Sequence, residues 1–351
     1  MLGPRLAIPL LLTALIAGQA AAQAPKIRKP RPAPPALTPL PALPPAILDN
    51  TLDIGGDDVK ARRIESRLSV DVQVNGRGPY HFIVDSGADT SVVGLRIARE
   101  LALPLGTPVI LNGMTDRNIV DRVKVDSLTL GPSTIRDLEL PVLREEDLGG
   151  EGMIGIDALV RRRLMMDFEK RLIKVEDANQ PVKSLPDEIV VIARRRRGQL
   201  ILTHVRARGL SLDAVIDTGS QFTVGNLQLR DKLIRRKQRF QTVEAIGVTG
   251  KAIDLEMAVI PELQIGTILI RNLMVAFADL PPFARFGIAD EPALLLGADV
   301  LNSFRRVSLD FQARKVRFQL RRCTPQSLFV STWSISSAAR LSSTGNEACA
   351  R

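Results

Sequence analysis

Two stretches of alternating residues frame the chain. In LSVDVQV (68–74) apolar side chains fall on every second position, and LILTHVRA (200–207) follows the same plan. A period of two is the signature of a strand with one buried face. After each stretch comes a turn and a second strand that runs into an acidic turn. The first copy reads FIVDSGADTSVVG (82–94) and the second AVIDTGSQFTVG (214–225). In both, three apolar residues lead into Asp-Ser/Thr-Gly, and a Ser or Thr followed by Val comes six positions after the Asp.

The same parts then recur in the same order. A helical stretch, LRIARELAL (95–103) or LQLRDKLIRR (227–236), precedes a glycine-containing turn, LNGMTDRN (111–118) or IGVTGKA (246–252). Two strand patterns follow, 120–131 and 133–143 in one copy, 253–266 and 267–277 in the other. Next is an apolar pair with Gly and a short helix, MIGIDALV (153–160) or LLGADVLNSF (295–304). A hairpin pattern closes each copy, at 164–175 and 307–318. Two long copies are not a solenoid, which needs three or more short repeats. They predict one β-rich domain written twice, with few short helices. The expected boundaries are 61–178 for the first lobe, 179–190 for the connection, 191–320 for the second lobe and 321–351 for a Ser-rich, peripheral tail.

The N-terminus has its own logic. Arg5 precedes the apolar run Leu6–Ala17, too short to span a bilayer, and small residues follow, so 1–22 reads as a signal peptide cleaved after Ala22. No other stretch is apolar enough to cross a membrane, and the mature chain is expected to be exported, to the periplasm or beyond. Residues 23–60 are proline-rich and basic at their start. They read as an extended spacer, with a pro-segment covering the cleft as the alternative.

Composition removes several kinds of chemistry. The chain has 351 residues and only two histidines, His81 and His204, so a multi-histidine metal site is impossible, and there is no G-x-S-x-G nucleophile motif. Neither a metal nor a cofactor is implied. Cys323 and Cys349 form one disulfide or remain two thiols; the sequence leaves both open. The formal charge is +10, with basic runs at 193–198 and 234–240. These lack interleaved aromatics and read as a solvated face, not as a nucleic-acid surface.

The candidate chemistry lies in the repeated turn. One Asp-[Ser/Thr]-Gly is ordinary turn chemistry. Two, at equivalent points of a duplicated domain, meet if the copies pair about a pseudo-two-fold axis. Asp85 and Asp217 then share one site. Two adjacent carboxylates do not both ionise cheaply, so one is an acid and the other a base at the same pH. Such a pair activates water against a carbonyl. Gly87 and Gly219 permit close approach, and the Ser86 and Thr218 hydroxyls are placed to bond across the axis.

These residues carry a resemblance. VDSGA (84–88) with MIG (153–155), and IDTGS (216–220) with LLG (295–297), are similar to the pepsin/retropepsin-type aspartic proteases, in particular the bacterial retroviral-like kind with both lobes in one chain. The resemblance covers roughly residues 64–320. It implies two closed β-barrel lobes about a pseudo-two-fold axis and catalytic Asp85 and Asp217. Ser86, Gly87, Ala88, Thr218, Gly219 and Ser220 would support the catalytic loops. A peptide or protein substrate would lie in the cleft between the lobes of a monomer. Asp89 matches a substrate-backbone-binding position, and the second loop has Gln221 there. Asn112, Gly113, Gly247 and Gly250 lie where substrate-covering flaps would be, or in ordinary hairpins. The chain also departs from the pattern. The Arg that follows the apolar-apolar-Gly in retroviral enzymes is Ile156 and Ala298 here, so Asp89 must find other bonds. The only tyrosine is Tyr80, outside the flap positions. The expected function is an exported aspartic endopeptidase. The alternative is an inactive peptide-binding or envelope scaffold protein that keeps the fold.

Overall fold

The computed structural model describes residues 26–34, 58–64, 67–131, 133–159, 162–177, 188–196, 199–234, 240–321 and 329–332. The expected signal peptide, most of the tail and both cysteines lie outside these residues.

The alternating stretches form the first strand of each lobe. In Arg67–Val74, Val70, Val72 and Val74 are buried while Gln73 faces solvent; in Gln199–Ala207, Leu200, Leu202, Val205 and Ala207 are buried. Tight turns with positive φ at Asn75 and Gly76, and at Arg208 and Gly209, return each chain into the strand that carries the acidic turn. Right-handed strand twist favours such turns in two-residue hairpins.

Six strands then close a barrel in the N-terminal lobe. Arg67–Val74 pairs with Arg77–Val84, which pairs with Gly152–Ile154, then Val92–Gly94, Ser133–Leu143 and Arg122–Leu130, which returns to the first strand. The C-terminal lobe closes the same ring: Gln199–Ala207, Leu210–Ile216, Ala293–Leu296, Val224–Gly225, Ile268–Phe277 and Ala252–Ile265. Closure leaves no barrel edge unpaired. The fold is therefore all-β with short helices, duplicated as the repeat predicts.

The closing hairpins join the lobes. Arg162–Asp167 runs antiparallel to Phe304–Asp310, with Met165 opposite Ser308. Outward lie Leu172–Asp177 and Lys315–Leu320, and then Asp58–Ile64 and Glu188–Arg196 at the ends of a six-stranded bridging sheet. Two ion pairs, the first buried and the second partly so, cross its centre. Arg163 Nε donates to Asp310 at 3.1 Å, and Arg306 Nε donates to Asp167 at 2.6 Å. Each outer strand also turns into the first strand of its own barrel, with Ile64 opposite Arg67 and Arg196 opposite Gln199.

Part of the stretch expected to be a spacer is docked. Arg31–Pro32 adds as an edge strand to the hairpin Val109–Asn112/Arg117–Val120, and Ile27 packs on the main core. No helix among the described residues is long and apolar enough to cross a membrane.

Candidate active site

The two acidic turns meet between the lobes. Ser86 N–H donates to Thr218 Oγ1 at 2.9 Å, and Thr218 N–H donates to Ser86 Oγ at 3.2 Å. Each hydroxyl then donates to the strand behind the opposite turn: Ser86 Oγ to Ile216 O at 2.8 Å, Thr218 Oγ1 to Val84 O at 2.7 Å. All four bonds are buried and reciprocal, which fixes one turn in register with the other.

This register brings the carboxyls together. A methyl group at Gly87 would lie 2.7 Å from the Asp217 carboxyl carbon, and one at Gly219 would lie 2.1 Å from that of Asp85. The third residue of each motif must therefore be glycine, because the opposite aspartate occupies the space. Asp85 Oδ1 accepts from the amides of Gly87 (2.7 Å) and Ala88 (3.0 Å). Asp217 Oδ1 accepts from Gly219 (3.1 Å) and Ser220 (3.0 Å).

The apolar-apolar-Gly segments hold the turns from the side. Met153 and Ile154 pair in parallel with Ile83 and Val84, as Leu295 and Leu296 do with Val215 and Ile216. Gly155 and Gly297 abut the backbone at Thr90 and Phe222, where a methyl would fall 2.6 Å and 2.4 Å from main-chain atoms. Two further carboxylates buttress the turns, and the sequence reading assigned them no role. Asp157 accepts from Ser91 Oγ at 2.7 Å and Ser91 N–H at 2.9 Å; Asp299 accepts from Thr223 Oγ1 at 2.7 Å and Thr223 N–H at 3.0 Å. Ser91 and Thr223 are the hydroxyl residues six positions after each motif Asp. The recurring Asp two residues after Gly was the available signal.

Burial sets the electrostatics. Desolvation raises Asp85 above the usual carboxylate range, opposed by the Gly87 and Ala88 amides and the positive charge of Arg67. Desolvation and then the charge of Asp85 push Asp217 up to about 8, against the amides of Ser220 and Gly219. The two carboxyls are close enough to share one proton, so they titrate as a pair. Desolvation likewise raises Asp157 and Asp299.

The pair opens into a cleft of about 1270 Å³ lined by both lobes. Asp89, Gln221, Asn112, Gly113 and Gly247 line it; Gly250 does not, and lies beside Arg144 and Asp147 instead. The glycine-containing turns roof the cleft from either side. Thr249 Oγ1 donates to Asp116 Oδ1 at 2.6 Å across the gap. Met114 packs on the apolar cluster of the C-terminal lobe, and Val248 on that of the N-terminal lobe, so each tip is seated on the other half. Asp89 pairs with Arg285 of the helix Pro281–Phe286, a residue the sequence reading did not single out.

Two β-barrels joined by a bridging sheet, each giving one aspartate to a single roofed cleft, define a bilobal protein of the pepsin/retropepsin kind. The model of the aspartyl protease family matches the chain twice, over residues 70–158 and 203–300, and the chain belongs to that family. The matches fall one in each lobe, and each contains an acidic turn and its apolar-apolar-Gly segment. No curated protein matches the chain.

Proposed function

We propose that the chain is an exported aspartic endopeptidase in which Asp85 and Asp217 activate a water against the peptide carbonyl. The aspartate that carries the charge takes a proton from the water as it attacks. Its partner, holding the shared proton, donates it to the developing oxyanion. The first carboxyl then passes the water's proton to the nitrogen of the tetrahedral intermediate, the second recovers a proton from the intermediate's hydroxyl as the C–N bond breaks, and the pair returns to its starting charge. The observation that carries this reading is the meeting of two buried carboxyls, one from each lobe, each raised by burial. The cleft between two seated hairpins suits an extended peptide, and a monomer suffices because one chain supplies both aspartates. Export rests on the signal-like N-terminus.

The test is cleavage of a peptide library across pH 3 to 7 by the wild-type chain and by Asp85→Asn and Asp217→Asn. Cutting that either substitution abolishes, and that a transition-state isostere blocks, supports the proposal. Peptide binding with no Asp-dependent cutting at any pH would identify a binding protein instead. Sequencing the N-terminus of material from the periplasm and medium tests export, and a chain retained with residue 1 intact counts against it.

A further inference from the structure

The two lobes are not equal where they touch the opposite Asp turn. Arg67 and Gln199 each open the first strand of a barrel and follow an outer strand of the bridging sheet. Both side chains reach the other lobe. Gln199 Nε2 donates to Gly87 O at 3.1 Å; Arg67 Nη1 donates to Leu148 O at 3.1 Å and stands 3.5 Å from Gly219 O. Both residues are buried. Gly219 is the glycine pressed against the Asp85 carboxyl, and Gly87 the one pressed against Asp217. One scaffold position therefore carries a guanidinium on the side of Asp85 and a neutral amide on the side of Asp217.

The acidic groups around the cleft are paired or hydrogen-bonded locally, or lie at its rim. Asp89 is matched by Arg285, Glu139 by Arg122, and Asp147 by Arg144. Asp157 and Asp299 are held by Ser91 and Thr223, and Glu146 and Glu244 are exposed. Reciprocal hydroxyl bonds treat the aspartates alike, as do the paired amides. The Arg67/Gln199 difference does not.

We propose that Arg67 is a positioning residue that holds the negative charge of the pair on Asp85 and leaves the proton on Asp217, with Gln199 as its neutral counterpart. This assigns base and acid for the endopeptidase reading, on which its catalytic meaning rests. The charge placement itself is a property of the resting protein.

The test is ¹³C-carboxyl NMR of the full chain labelled at aspartate, titrated from pH 2 to 9, with the two signals assigned by their loss in Asp85→Asn and Asp217→Asn. In the wild type Asp85 should ionise first. Arg67→Gln should raise the Asp85 midpoint by on the order of one unit, the low end for losing a nearby opposite charge, and narrow the gap. Arg67→Lys should keep the wild-type order. In Arg67→Gln/Gln199→Arg the charge moves to the other side and the order should invert. If Arg67→Gln does not fold, the lysine variant and the double exchange decide the matter. A wild-type order in the folded double exchange, or an unchanged gap in folded Arg67→Gln, overturns the proposal. The expected NMR order in a chain that cuts no peptide would sink the endopeptidase reading and leave the role of Arg67 standing. Cutting with titrations indifferent to residue 67 would do the reverse.

Discussion

Arg285, on a helix of the C-terminal lobe, reaches across the cleft to Asp89 in the N-terminal lobe and places its Nε 2.5 Å from Oδ2. This answers a gap left by the sequence, where the arginine expected after the apolar-apolar-Gly is replaced by Ile156 and Ala298. The other Asp89 oxygen, Oδ1, is buried and has no hydrogen-bond partner among the described residues, and the residue lines the cleft. A substrate amide would satisfy it. Asp89→Asn should therefore raise KM roughly tenfold with a smaller change in kcat, since one charge-assisted hydrogen bond contributes about 1.5–3 kcal/mol. Arg285→Ala should do the same and also lower stability by about 1–3 kcal/mol, the cost of leaving the partly buried Asp89 carboxylate without its partner. Steady-state kinetics and urea unfolding check both. A pure kcat effect for Asp89→Asn would show that it does not hold substrate.

Thr218 is a second point of leverage. Its hydroxyl accepts from Ser86 N–H and donates to Val84 O, both buried. Thr218→Ala leaves a buried donor and a buried acceptor unsatisfied and should cost about 2–6 kcal/mol, at about 1–3 kcal/mol for each group. Thr218→Ser keeps both bonds and should cost less than about 1 kcal/mol. Denaturant midpoints decide, and equal losses for the two variants would assign the effect to the lost methyl.

The pH dependence of stability has a definite sign. Burial and the neighbouring charge raise Asp217 to about 8 in the folded chain, while an unfolded aspartate titrates near 3.9. A carboxyl whose affinity for protons rises on folding contributes its full share of stability below the unfolded value. That share is lost as pH climbs toward the folded one. Asp85, Asp157 and Asp299 shift in the same direction. Asp217→Asn keeps an acceptor for Gly219 and Ser220 and removes the penalty. It should be more stable than the wild type at pH 7, by a few kcal/mol, with the difference closing near pH 3. Unfolding midpoints at pH 3, 5 and 7 measure this. A variant that is less stable at every pH contradicts it.

The repeat made the lobes legible, because a period of two and a recurring order of parts are local signals. Asp85 and Asp217 followed from the same recurrence. Three other features depend on how distant segments pack. The bridging sheet sets Arg163 opposite Asp310, a register fixed only once both barrels exist. The helix bearing Arg285 had local signals, Pro281 and Pro282 at its start and Gly287 in the left-handed conformation at its end, but nothing nearby tied it to Asp89. Asp157 and Asp299 recur after Gly155 and Gly297, yet their work is to bond Ser91 and Thr223, and proximity across 66 and 76 residues is not written in the sequence.

The docked N-terminal segment gives the last prediction. Arg31 and Pro32 lie opposite Ile119 and Asn118, and Ala33 N–H donates to Arg117 O at 3.0 Å. Arg28 grips Asp121, at the end of the same strand, through its backbone N–H at 2.8 Å and Nη2 at 2.6 Å, and holds that carboxyl below the usual range. The first roof hairpin is thus two strands of a three-stranded sheet, whereas residues 243–246 and 252–255 of the second pair only with each other among the described residues. A two-stranded hairpin is marginal alone, and a third strand steadies it. Removing residues 26–34, or making Arg28→Ala, should speed amide exchange several-fold across 109–120 and leave 241–252 unchanged. If a closed roof is needed to hold peptide, KM should rise in step. The grip on Asp121 is complete above the usual carboxylate range and weakens as pH falls through the lowered value, so exchange at 117–121 should quicken in acid in the wild type and not in Arg28→Ala. Equal exchange in the intact and shortened chains would show that the segment rests on the hairpin without bracing it.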